Sequence, residues 1–198
     1  YSGLVTEDGN VYMWGQNVNG SLGDLTTINR QVPYSITNQF ALDVGETVVS
    51  LSIGLNHSFA TSSNGKVFSW GYGNRGCLGD NDITNNTYPT DVTSTTTVGS
   101  DTVLMYALGN QTSFVITNEG NLYGFGENTK GEMGLDSLTT VIYNPLRITK
   151  DGTEINKVGF IFMNEGTLDT ASHLEMEIYF EYDIFPDINT LLSLRVLV

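Results

Sequence analysis

The chain has 198 residues, 39% of them hydrophobic and 11% aromatic, enough for a sizeable core in one or two domains. Eight Lys+Arg against 22 Asp+Glu give a formal charge of −14, which excludes nucleic acid as a primary partner, because affinity for phosphate comes from clustered cations. A single cysteine, Cys77, excludes a disulfide framework within the chain, and no stretch reaches the roughly 18 apolar residues of a membrane-spanning helix.

The first readable unit is Leu4-Val5-Thr6, then Glu7-Asp8-Gly9-Asn10, then Val11-Tyr12-Met13-Trp14. This is a hairpin, with Asp8-Gly9 expected as a tight-turn pair at positive φ. The same unit returns with Asn64-Gly65 before Val67–Trp70, and with the less ideal Glu119-Gly120 before Leu122–Phe125. Trp14, Trp70 and Phe125 lie 56 and 55 residues apart, so the chain is a repeat architecture. In each strand after the turn, alternation places Tyr12/Trp14, Phe68/Trp70 and Tyr123/Phe125 on one face and smaller residues on the other. That pattern suits sheets stacked on one another, an aromatic plate of one unit lying on the thinner face of its neighbour.

After the aromatic comes Gly15-x-Asn17-x-x-Gly20-x-Leu22-Gly23, then Gly71-x-Gly73-x-x-Gly76-x-Leu78-Gly79, then Gly126-x-Asn128-x-x-Gly131-x-Met133-Gly134. Asn, Gly and Asn at the third position predict a required positive-φ turn. Gly71 to Gly76 spells GxGxxG, but a polar loop follows instead of a helix, so the dinucleotide reading fails. Thr/Asn-rich connections then lead to Pro33, Pro89 and Pro145, each expected at the start of a short strand. Val48–Ile53, Val103–Leu108, His57–Ser62 and Thr112–Thr117 complete about four short strands per period. After Thr153 the pattern stops. Residues 174–184 alternate apolar and acidic positions as a further strand, and His173 lies just before it without a recognisable partner.

The run G-x-x-H-S-F-A-T-S-S-N-G-K-V-F-S-W-G from Gly54 to Gly71, followed by R-G-C-L-G-D and by Pro89, resembles the regulator of chromosome condensation repeat, over about Tyr1–Ile155. The resemblance implies an all-β partial β-propeller of about three four-stranded antiparallel blades over residues 1–155, with a divergent C-terminal β segment over 156–198. Departures are Tyr1 and Thr112 where His57 carries the family histidine, and Phe125 in place of Trp. Three repeats do not close a ring, so the chain reads as a fragment whose remaining blades come from missing sequence or another chain, the alternative being an open arc whose edge strands are covered by missing blades, the C-terminal segment or another chain. The linkers resemble bacterial surface versions of the repeat, which favours an extracellular or cell-surface location.

No nucleophile with a base, poised acid/base pair or multi-ligand metal set stands out. His57 is read as a packed structural residue and Cys77 as an exposed, ordinary thiol. Asp80-Asn81-Asp82 with Asn85 offers oxygen ligands but lacks the glycine and terminal glutamate of a calcium hand. The expected function is a non-enzymatic scaffold for a protein partner, with no cofactor and no membrane span. The candidate partner-binding residues are those that differ between copies of the loop: Asn19, Ser21, Asn74, Arg75, Asp80, Asp82, Asn86, Lys130 and Glu132. The alternatives are a nucleotide-exchange or regulatory factor for a small GTPase, and a metal- or nucleotide-dependent enzyme.

Overall fold

The computed structural model describes residues 1–96, 98–135, 139–150 and 153–154, all within the first of two compact units, Tyr1–Glu165. The strand expected at 174–184 and His173 lie outside the described residues. The first period forms a three-stranded antiparallel sheet from β1 (Ser2–Val5), β2 (Val11–Gly15) and β3 (Arg30–Ser35). The second is four-stranded, from β4 (Val48–Ile53), β5 (His57–Ser62), β6 (Val67–Gly71) and β7 (Asn86–Asp91). The third repeats it with β8 (Val103–Leu108), β9 (Thr112–Thr117), β10 (Leu122–Glu127) and β11 (Val141–Arg147). A small hairpin, β12 (Thr149–Lys150) and β13 (Thr153–Glu154), follows.

The hairpin turns differ from the tight pairs expected. Gly9 N–H donates to Thr6 O at 2.8 Å and Thr6 N–H to Asn10 O at 2.9 Å, so the turn closes around Glu7 and Asp8, with Gly9 beyond it at φ 78°. Asp8, Asn64 and Glu119 do not have positive φ. The left-handed step falls on the glycine alone, as a glycine bulge after a turn. Glu119 is therefore no worse than Asp8. Each turn also begins with a hydroxyl residue, Thr6, Ser62 or Thr117, whose Oγ accepts the N–H of Asn10, Lys66 or Asn121 at 3.1, 3.0 and 3.2 Å.

The prolines sit inside their strands rather than at the start. Register runs from Met13↔Tyr34 to Gly15↔Arg30, from Ser69↔Thr90 to Gly71↔Asn86, and from Gly124↔Leu146 to Gly126↔Ile142. Three residues of the outer strand, among them Pro33, Pro89 or Pro145, thus bulge opposite the single aromatic Trp14, Trp70 or Phe125. A proline in a bulge of an outer strand removes no ladder bond.

Hydrophobic burial occurs between successive sheets, as the alternation implies. Phe68 and Trp70 of the second sheet join Val11, Met13 and Leu22 of the first in one core cluster. Phe125 of the third joins Phe59 and Val67 of the second in another. Phe40, in the connection between sheets one and two, meets the Phe68 and Trp70 rings edge-on at 5.2 and 5.6 Å. Trp70, Phe68, Phe59 and Phe125 are all 0% exposed, each ring burying on the order of 150–250 Å². Trp14 is only half-buried. No helix among the described residues is long and apolar enough to cross a membrane.

Candidate functional site

The glycine-rich loop that leaves β2, β6 or β10 is the feature from which any site must be built. Its third position has ordinary backbone: neither Asn17, Gly73 nor Asn128 has positive φ, which corrects the turn inferred from residue type. The asparagine is there for its side chain. Buried Asn17 accepts Leu22 N–H on Oδ1 at 2.9 Å and donates from Nδ2 to Asp24 Oδ1 at 2.9 Å, to Thr26 O at 3.0 Å and to Ile28 O at 3.2 Å. Asn128 likewise accepts Met133 N–H at 3.1 Å and donates to Thr139 O at 3.0 Å. In the second loop the amide is missing and the Thr84 backbone moves into its place, so that a Cβ on Gly73 would lie 1.9 Å from Thr84 O.

The loop's glycines do two jobs: they take positive φ, and they let the next sheet approach. Gly20 (φ 76°) sits on the Thr87 backbone, and Gly23 (φ 72°) on the Trp70 indole, with 2.8 and 2.9 Å left for an added Cβ. Trp70 Nε1 donates to Ser21 O at 3.0 Å, and Leu25 N–H to Thr87 O at 2.8 Å. One junction later, Gly79 (φ 67°) sits on the Phe125 ring, with 3.0 Å left for an added Cβ. Phe125 has no N–H to offer Cys77 O, the carbonyl corresponding to Ser21 O. Ser113 Oγ donates to it instead at 2.7 Å, and His57 Nε2 lies 2.8 Å from that same hydroxyl. Tyr1 fills the histidine's place at the first junction, donating to His57 O at 2.7 Å with Ser58 Oγ 3.0 Å away. The family histidine is thus structural, and Tyr1 does equivalent work.

Electrostatics within the loops are satisfied locally. Burial would raise the Asp24 carboxyl, but hydrogen bonds from Thr26, Arg30 and Asn17 hold it below the usual carboxylate range. Arg30 Nη2 lies 2.6 Å from Asp24 Oδ2. Asp80 Oδ2 accepts from Asn86 Nδ2 at 2.9 Å and its Oδ1 from Asp82 N–H at 3.1 Å. Asp82 takes Ile83 N–H at 2.7 Å and Thr84 Oγ1 at 2.9 Å. Among the described residues no three His, Cys, Asp or Glu side chains gather as metal ligands. Cys77 is buried rather than exposed, its Sγ 3.1 Å from Tyr72 O, and burial pushes its thiol up to about 12.

The sequence-selected residues are spread over three loops, one per sheet. Asn74, Arg75, Asp82, Lys130 and Glu132 are exposed, and Asn19, Asp80 and Asn86 are partly buried. Ser21 is 5% exposed and offers little surface. Arg75 Nε lies 3.8 Å from Glu127 Oε1 on the third sheet, and Glu132 Oε2 accepts the Lys130 N–H at 2.8 Å. Sequence reading missed Val18, Leu25 and Ile28, which stand exposed on the first loop. Aligning the three loops position by position is the signal that would have found them.

The regulator of chromosome condensation (RCC1) repeat family matches residues 8–61 and 64–116, and a second description of the same repeat matches residues 48–77 and 107–132. The chain is 30% identical over 156 residues to the probable E3 ubiquitin-protein ligase HERC3 of Homo sapiens, covering 78% of this chain and 14% of that protein. It is 34% identical over 130 residues to the ultraviolet-B receptor UVR8 of Arabidopsis thaliana, covering 66% and 28%. Among solved structures it is similar to Prp20p of Saccharomyces cerevisiae, with a TM-score of 0.62 at 21% identity over 76% of this chain and 36% of that one. Human WBSCR16 gives a TM-score of 0.61 at 19% identity over 76% and 37%. The chain therefore spans less than a third of the length of these two sequence relatives. The three sheets are blades of a β-propeller.

Proposed function

The chain belongs to the RCC1 repeat family, and from that membership we propose that it is a non-enzymatic scaffold that binds a protein partner through the variable residues of its glycine loops. The observation that supports this most is a division of labour within each loop. Asn17 is committed to bracing its own loop, and Gly23, Trp70, Gly79, Phe125 and the His57–Ser113 pair to joining blades, whereas Asn74, Arg75, Asp82, Lys130 and Glu132 face solvent. The named relatives include a ubiquitin ligase and a light receptor, so the same frame accompanies different activities, and what is recognised must be set at the surface. We further propose that a blade of the same kind lies against the third sheet. In support, among the described residues Gly131 and Gly134 have little or nothing within 4 Å of an added Cβ, unlike Gly20, Gly23, Gly76 and Gly79.

The test is capture of a partner by the wild-type chain and by a variant carrying Asn74→Ala, Arg75→Ala, Lys130→Ala and Glu132→Ala. The variant is expected to keep its melting temperature and lose the partner. Undiminished capture would refute the loop reading. Prp20p is described by its binding to Gsp1p and histones, and this keeps exchange on a small GTPase as a second reading. Nucleotide release measured by stopped flow across a panel of small GTPases, with no acceleration by the chain, would dispose of it.

A further inference from the structure

The loop between β2 and β3 exposes three aliphatic side chains, Val18, Leu25 and Ile28, at 62%, 57% and 64%. They surround a single hydrogen-bonded knot. Asn17, next to Val18, bonds through Nδ2 to Asp24, next to Leu25, and to the Ile28 carbonyl. The matching positions are Asn74, Asn81 and Thr84 in the second loop, and Thr129, Asp136 and Thr139 in the third. The other two copies fill these positions with polar residues, so the blade frame does not require an apolar trio.

Leu25 is the sharpest case. Its φ is 65°, and the matching Asn81 has φ 63°. This left-handed region is tolerated by asparagine and disfavoured by leucine. The Leu25 backbone is held there by its bond to Thr87 O, so the leucine adds strain and exposes apolar surface at a step the second loop makes with asparagine. Strain of this kind, held in place by surrounding structure, concentrates at functional positions. The loop is also locally neutral in an acidic chain: Asp24 is its one charged residue between Gln16 and Asn29, and Arg30 is paired with it.

We propose that the Val18, Leu25 and Ile28 tip is the anchor for the protein partner, inserted into a shallow apolar pocket with an uncharged rim, Leu25 being the inserted side chain. The proposal rests on the scaffold reading and names its contact. Because the tip carries no unpaired charge, its own share of the binding is insensitive to salt, whatever the charged positions of the other two loops add.

The experiment places a photo-crosslinking amino acid at position 25, 81 or 130 of the full chain in an extract of the source cells. A protein adduct is expected at 25 and not at 81. Leu25→Asn should lower capture of that protein by at least about tenfold, as for an interface anchor, at low and high salt alike. The same variant should raise the melting temperature by ~2–4 °C as the backbone strain is relieved. Equal adducts at 25 and 81, undiminished capture by Leu25→Asn, or a lower melting temperature would each overturn the anchor. Leu25-dependent sedimentation with neutral phosphatidylcholine vesicles would overturn it in favour of a lipid surface. Adducts at 130 with none at 25 would overturn the anchor but leave the scaffold reading standing. No adduct at any position would remove both.

Discussion

His57 gives its Nε2 hydrogen to the Ser113 hydroxyl, 2.8 Å away across the junction of the second and third blades. The direction follows from Ser113, whose single hydrogen is already donated to Cys77 O, so the imidazole is neutral and carries its hydrogen on Nε2. Nδ1 has no partner among the described residues. The ring is 0% exposed, and burial pushes its pKa down to about 4 from an ordinary 6.5. Between these values the unfolded chain holds the proton and the folded chain does not, so stability rises with pH through the window and falls on acidification. From pH 7 to pH 4.5 this one group should lower stability by roughly 2–3 kcal/mol. Urea midpoints for wild type and His57→Gln at both pH values measure the effect. The variant should lose that much less on acidification, and equal losses would refute the assignment.

Trp70→Ala should destabilise by about 3–5 kcal/mol as a buried aromatic truncation. Trp70→Phe is the finer probe: it keeps a phenyl ring, as at Phe125, but removes the donor to Ser21 O, so that the unpaired buried carbonyl costs about 1–3 kcal/mol and the lost part of the indole adds a cavity cost. Arg75→Ala removes only an exposed 3.8 Å ion pair and should change stability by less than about 0.5 kcal/mol. Denaturant unfolding of the three variants checks the order.

Two glycines separate backbone strain from packing. At Gly65, φ 83°, an added Cβ meets nothing within 4 Å among the described residues, whereas at Gly23, φ 72°, it meets the Trp70 indole at 2.9 Å. Gly65→Ala should therefore cost only the left-handed strain, about 1–2 kcal/mol. Gly23→Ala should cost visibly more, because the clash adds overpacking of about 1–3 kcal/mol. Thermal melts showing equal costs would mean that the junction yields freely.

Cys77 offers a chemical readout. Native protein at pH 8 should react with a disulfide reagent only through unfolding, since the thiol is enclosed and its pKa is pushed up to about 12. In denaturant it should react at the rate of a free thiol. Fast native reaction would contradict the burial.

Strand positions were legible in the sequence because the repeat multiplies each weak signal: His57–Ser62 and Thr112–Thr117 are strands with those bounds. What escaped was chemistry that residue type alone leaves ambiguous. Asp-Gly serves equally in a two-residue turn and in a turn followed by a glycine bulge, and only the pairing of Thr6 with Asn10 distinguishes them. Asn17 and Gly73 share tolerance of positive φ, which suggested a backbone cause, while the actual cause was the amide's four bonding directions. The proline bulges were hidden because register depends on the partner strand. At the loop surface, Arg75 and Lys130 are legible as variable charged positions, whereas Leu25 is conspicuous only once its φ is known.

Every blade junction described above joins unlike positions, a loop of one repeat to an aromatic or hydroxyl of the next. Compensation for a change at a junction therefore comes from another group at the same border, not from the strand that changed. Phe125 shows the rule, since its missing donor is made good by Ser113 on the neighbouring strand of its own sheet, which His57 of the preceding repeat supports in turn across the border. Repeats of this chain are accordingly not interchangeable parts: exchanging the second and third would mismatch both their borders while leaving each sheet's own pairing intact.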